Sequence, residues 1–122
     1  MTTINTQKDA IMVYHKSEHL KLNIIQVAHF VTTIDSLNDN EKIGAKRIII
    51  NIIESLISDT KSAAISTHCN EFDQSGSILE QAITLTESNK FDLASEKLGE
   101  AITPITTIAV SAWDVLHNHE LI

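Results

Sequence analysis

Residues 112–122, AWDVLHNHELI, place Asp114, His117, His119 and Glu120 within one short stretch behind the only Trp of the chain. Imidazoles and carboxylates at helical spacing are the ingredients of a divalent-metal site, in which ring nitrogens and carboxylate oxygens complete a coordination shell. A second pair, His15 and His19, stands four residues apart near the start of the chain. The two sets could share an ion only if their helices lie side by side and their side chains turn inward. The other reading is a solvated last turn, where a histidine near a helix C-terminus suits the helix dipole. The elements that carry these residues decide between the two.

Composition points to helices. The 122 residues include three Gly and one Pro, and aromatic residues make up 4%, far from the turn-rich, aromatic-rich profile of a sandwich or barrel. A hydrophobic content of 43% is enough for one continuous core, so residues 1–122 are read as one domain. The formal charge is −7, and with all six His protonated it stays near −1, so no basic surface for phosphates is expected and nucleic acid is not an expected partner. The single Cys69 has no intramolecular disulfide partner, which suits a reducing cytoplasm. The opening MTTINTQKDA lacks a basic start and an apolar stretch, and IIINII at 48–53 is too short to span a bilayer, so a soluble, uncleaved cytoplasmic chain is expected.

Periodicity separates four helical segments. In the first, 7–36, Val13, Leu20, Ile24, Val27, Val31 and Ile34 recur in steps of seven, four and three; Thr6 with Asp9 reads as an N-cap pair and LNDN at 37–40 as the stop. Asn38 with Glu41 repeats the capping pattern before a second helix at about 40–66, with a seam through Ala45, Ile49, Ile52, Leu56 and Ala63. A third helix passes through Leu79, Ala82 and Thr86 to about Asn89. It starts either at Ser77, with Glu80 three residues on, or at Asn70, with Asp73 three residues on and Gly76 inside. Asp92 is the expected N-cap of the last helix, whose seam runs Ala94, Leu98, Ala101, Ile105, Ile108, Ala112 and Val115. Pro104 sits inside that seam and denies the Glu100 carbonyl its partner, so a kink is expected there rather than a stop. Near-heptad seams joined by short connections predict an all-α, up-down-up-down antiparallel four-helix bundle.

That phase bears on the opening residues. The end of the fourth helix lies beside the start of the first, but His15, His19, Asp114 and His117 fall away from the packed stripes, and only His119 continues one. The Glu-x-x-His pairs of di-iron bundles do not occur in the sequence. No metal or other cofactor is therefore expected; a site built from His15, His19, Asp114, His117 and His119 stands as the alternative. Ala28-His29 resembles the acceptor stretch Ala-His-x-Leu-Lys-Gly of phosphotransfer four-helix bundles over a dipeptide. Here AHFVTT puts Thr32 and Thr33 where that family has Lys and Gly. Glycine-rich phosphate loops and paired carboxylates on a recognisable scaffold are missing, so nothing in the sequence marks an enzyme.

What is left over is apolar. Beside the second-helix seam runs another stripe, Ile43, Ile50, Ile57 and Ala64, widened by Ile48 and Ile53; Ile11, Leu22 and Ile25 on the first helix and Val110 and Trp113 on the last are also off their seams. The size, acidity and architecture are similar to those of flagellar-type secretion chaperones, whose bundles hold an amphipathic segment of a partner. The expected function is a non-catalytic interaction module, an adaptor or a self-associating homodimer, with Ile43, Ile50, Ile57 and Trp113 on its binding surface.

Overall fold

The computed structural model describes residue 4 and residues 6–118. Among these, α1 spans Gln7–Thr33, α2 Asp39–Thr67, α3 Asn70–Glu87 and α4 Phe91–Asn118, with one 3₁₀ turn, Ile34–Ser36, closing α1. Each helix packs on its neighbours in the order α1, α2, α3, α4 and back to α1, which is the up-down-up-down antiparallel bundle expected. No described helix is long and apolar enough to cross a membrane.

The caps follow local chemistry. Thr6 Oγ1 accepts the Asp9 amide at 3.1 Å. Asn38 and Glu41 form a full capping box, each side chain accepting the other's backbone N–H at 2.9 and 3.1 Å. The α2–α3 corner is made by His68 in the left-handed conformation, with φ 59°, its amide donating to the Ala64 carbonyl. The α3–α4 corner uses Asn89 at φ 61°, with Asn89 and Lys90 amides returning to Thr86 and Leu85 carbonyls. Lys46 of α2 reaches over to donate to the Glu87 carbonyl and Asn89 Oδ1, both at 3.0 Å.

Two helix starts differ in detail from expectation. α3 starts at Asn70, the earlier of the two openings, with Cys69 rather than Asn70 at the cap. α4 starts at Phe91, and the Ala94 amide bonds the Lys90 carbonyl, so Asp92 lies inside the first turn instead of capping it. There its carboxylate still suits the positive end of the dipole.

The core follows the seams, except on α2, where Ile53, expected on the widened outer face, is fully buried while the seam residues Ala45 and Ile52 are half-buried. Val13, Leu20, Ile24, Val27, Val31 and Ile34 of α1 are all buried, and Ser17 fills the step between Val13 and Leu20. Ile49 is 3% exposed and Ile105 is fully buried. α4 runs unbroken through Pro104. Near that proline, buried Ser75 of α3 donates to the Ala101 carbonyl at 2.7 Å, giving an acceptor three residues before the ring a partner from another helix. Toward the end of α4 the core passes from Ala112 to Leu116, while Val115 turns half outward, because an α-helix drifts about 20° per heptad from a strict 3.5-residue repeat.

Candidate functional site

The helix ends carrying the histidines are adjacent, since α1 packs on α4, but their side chains do not converge. His19 is exposed on the α2 side of α1, in a shallow pocket with Lys16, Leu20, Asp59, Ser62 and Ala63, and its Nε2 lies 3.2 Å from Asn23 Nδ2. His15, one turn earlier, is also exposed. Asp114 lies on the outer face of α4 with Thr107 and Val110, and exposed His117 stacks on Trp113 with ring centroids 4.7 Å apart. His119 and Glu120 lie outside the described residues. Among the described residues, no group of three or more His, Cys, Asp or Glu is placed to hold a metal ion.

Cys69 is equally remote from chemistry. It is buried at the α2–α3 corner, and burial pushes its thiol above the usual range. The Glu71 and Asp9 carboxylates push the same way, and a hydrogen bond with Thr67 offsets only part of the rise. A thiol held protonated and closed to solvent is a poor nucleophile.

The apolar surplus divides into two fates. In the stripe of heptad steps, Ile43 is 67% exposed, Ile50 is half-buried, and Ile57 and Ala64 are buried. Residues seven apart rotate about 20° around a helix of 3.6 residues per turn, so a stripe that starts on the surface of α2 winds into the core. Ile57 thus belongs to the bundle interior, a correction to its expected place on a continuous outer surface. Trp113, 41% exposed, sits on α4, diagonal to α2 and at the opposite end of the bundle from Ile43. Ile43 and Trp113 therefore do not share one face.

The structure instead opens a groove along the other flank of α2. α1 and α2 pack less closely than any other neighbouring pair, and hollows run the length of their seam. The end near the 3₁₀ turn is apolar, a cavity of about 280 Å³ lined by Phe30, Ile34, Leu37, Ala45, Ile48 and Ile49. Phe30 is 49% exposed and Ile48 61% exposed. The middle is lined by Asn23, Gln26, Ile52, Ser55 and Asp59, and the far end by Lys16, His19, Ser62 and the same Asp59. Bulky side chains set this spacing, because the distance between packed helices follows the residues at their contact. Sequence reasoning placed Ile48 on a widened face of α2 but passed over Phe30. Its signal was an aromatic residue adjoining the seam residues Val27, Val31 and Ile34.

Comparison with protein-family models, with curated proteins and with solved structures found no match.

Proposed function

We propose that this chain is a non-catalytic helical interaction module that acts in the cytoplasm and binds a protein through the groove between α1 and α2. The observation that carries this reading is the pair Phe30 and Ile48. They stand half to two-thirds exposed on opposite lips of one apolar hollow, with no charged residue in its lining. Covering such side chains contributes up to about 1.5–3 kcal/mol each before association costs, enough for a few of them to hold a partner. Ile43 lies on the far flank of the same helix, toward Phe91 and Asn89, and extends the exposed apolar surface without lining the groove.

Photo-crosslinking in the native host tests the reading. A benzophenone amino acid at position 48 is expected to give a protein adduct, and the same group at Glu96, on the exposed surface of α4, is not. Phe30→Asp should abolish the adduct while leaving the helical circular-dichroism signal intact. Equal labelling at 48 and 96, or none at 48, overturns the assignment.

A further inference from the structure

The groove is self-complementary at both ends, and we infer that a second copy of this chain covers it. This rests on the reading of the groove as a binding surface. At one end, Lys16 and His19 of α1 lie level with Asp59 of α2. In the middle, Asn23 and Gln26 of α1 lie opposite Ile52 and Ser55 of α2, with Phe30 and Asp59 also in the lining. At the other end Phe30 lies level with Ile48. At the two ends α1 offers what α2 would bind: a cation for a carboxylate, and an aromatic ring for an aliphatic chain.

A two-fold axis running along the groove leaves the two copies pointing the same way and lays α1 of one copy antiparallel on α2 of the other. Lys16 then meets the second copy's Asp59 twice, and Phe30 meets the second copy's Ile48 twice, the isologous pattern of a two-fold dimer. Among the described residues, no ion pair joins Lys16 to Asp59 within the chain, so both charges are available across the axis. Gly44, one turn before Ile48, has nothing within 4 Å of a built Cβ and leaves room for the opposing helix.

The size is right as well. From Lys16 to Leu37 the groove runs about 32 Å, and two adjacent helices are about 19 Å wide, a footprint of about 600 Å² per copy. Side-chain relief raises the accessible area above the footprint, toward the roughly 800 Å² per partner of a standard interface. Each chain carries a formal charge of −7, but repulsion between charges on the outer faces is screened within about 8 Å at physiological salt.

Light-scattering mass of the full chain at tens of micromolar is expected to give a dimer. Ile48→Asp should weaken it about thirtyfold or more, the ratio of a hot-spot side chain. Lys16→Glu and Asp59→Lys should each weaken it about tenfold, and the two together in one chain should restore it to within about threefold. Orientation is read by mixing a Gln26→Cys chain with a Ser55→Cys chain, both exposed positions, while buried Cys69 stays out of the reaction. Disulfides between the two chains should outrun those of either chain alone.

A monomer at this concentration, a dimer indifferent to Ile48→Asp, or a preference for 26-to-26 linkage each overturns the two-fold pairing. In the photo-crosslinking experiment, an adduct at position 48 to a different protein sinks this inference and leaves the groove reading standing. The absence of any protein adduct at position 48 sinks both.

Discussion

The two flanks of α2 are built from different materials. Toward α3 it presents Thr60, whose Oγ1 would lie 2.7 Å from a Cβ placed on Gly76, so the two backbones approach closely over a glycine. Thr60 and Ser75 are fully buried and their hydroxyls are satisfied, donating to the Ile57 and Ala101 carbonyls. Toward α1 the same helix presents Ile48 and Ile52 against Phe30, and the seam stays open. Close packing requires a small residue facing each large one; two rows of large ones leave a groove. The difference teaches that a helix with apolar residues on both flanks can close on one side and still offer the other.

The sharpest way to break that contrast is one substitution at two positions. Ile57→Asp puts a carboxylate into a buried site of the closed flank and is expected to cost on the order of 4 kcal/mol or unfold the chain. Ile48→Asp puts the same group on the lip of the groove and should change stability by about 0.5 kcal/mol or less, read as urea midpoints in dilute protein. Similar losses at both sites would mean that the open seam is not open.

Glycine substitutions give the next largest effect, with a change of sign. Gly76→Ala gains up to about 1 kcal/mol of helix propensity but must displace buried Thr60, and overpacking costs about 1–3 kcal/mol, so a net loss is expected. In a Thr60→Ala background the obstacle is gone, and Gly76→Ala should become neutral or stabilising, the non-additivity that marks a direct contact. Gly44→Ala, on the open side, should stabilise by up to about 1 kcal/mol without help.

Buried hydroxyls sharpen the contrast further. Ser75→Ala leaves the Ala101 carbonyl, near Pro104, without its cross-helix donor and should cost about 1–2 kcal/mol. Ser17 Oγ is buried on α1 with no hydrogen-bond partner among the described residues, so Ser17→Ala removes only a desolvated hydroxyl and should be neutral or stabilising by about 1 kcal/mol. Thermal midpoints of the two variants should move in opposite directions.

The four helices, their order and most of their buried faces were legible in the sequence because they depend on local rules. A capping box at Asn38 and Glu41, a seam from Val13 to Ile34 and a short corner at Asn89 each need only neighbouring residues to be read. The site was less legible. Which flank of α2 closes depends on pairs drawn from two helices, Thr60 with Gly76 against Ile48 with Phe30, and the spacing within one helix does not reveal its partner's residues. The heptad stripe from Ile43 to Ala64 looks like one surface in sequence, because a period of seven is constant there, yet it rotates around a real helix. For the terminal histidines, phase alone was enough for the described residues: His15, His19 and His117 all lie outside the core, as their seams required.

The smallest effect is a pH dependence at the closed corner. Burial raises the Cys69 thiol in the folded chain above its unfolded value, so the folded state holds its proton to a higher pH than the unfolded state does. Below the unfolded thiol range, near pH 8.5, the proton is bound in both states and the stabilisation is fully present. As pH rises through that range the unfolded state ionises first, and stability falls until the folded thiol ionises as well. Denaturant midpoints between pH 8 and pH 10 should decline with this slope in the native chain and less steeply in Cys69→Ala. A cysteine introduced at Ile48, on the groove, should alkylate at the rate of an exposed thiol in protein dilute enough to be monomeric, under conditions where Cys69 is protected. If the two alkylate equally fast, the corner at His68 and Cys69 opens as readily as the groove, and the two flanks of α2 are not physically distinct.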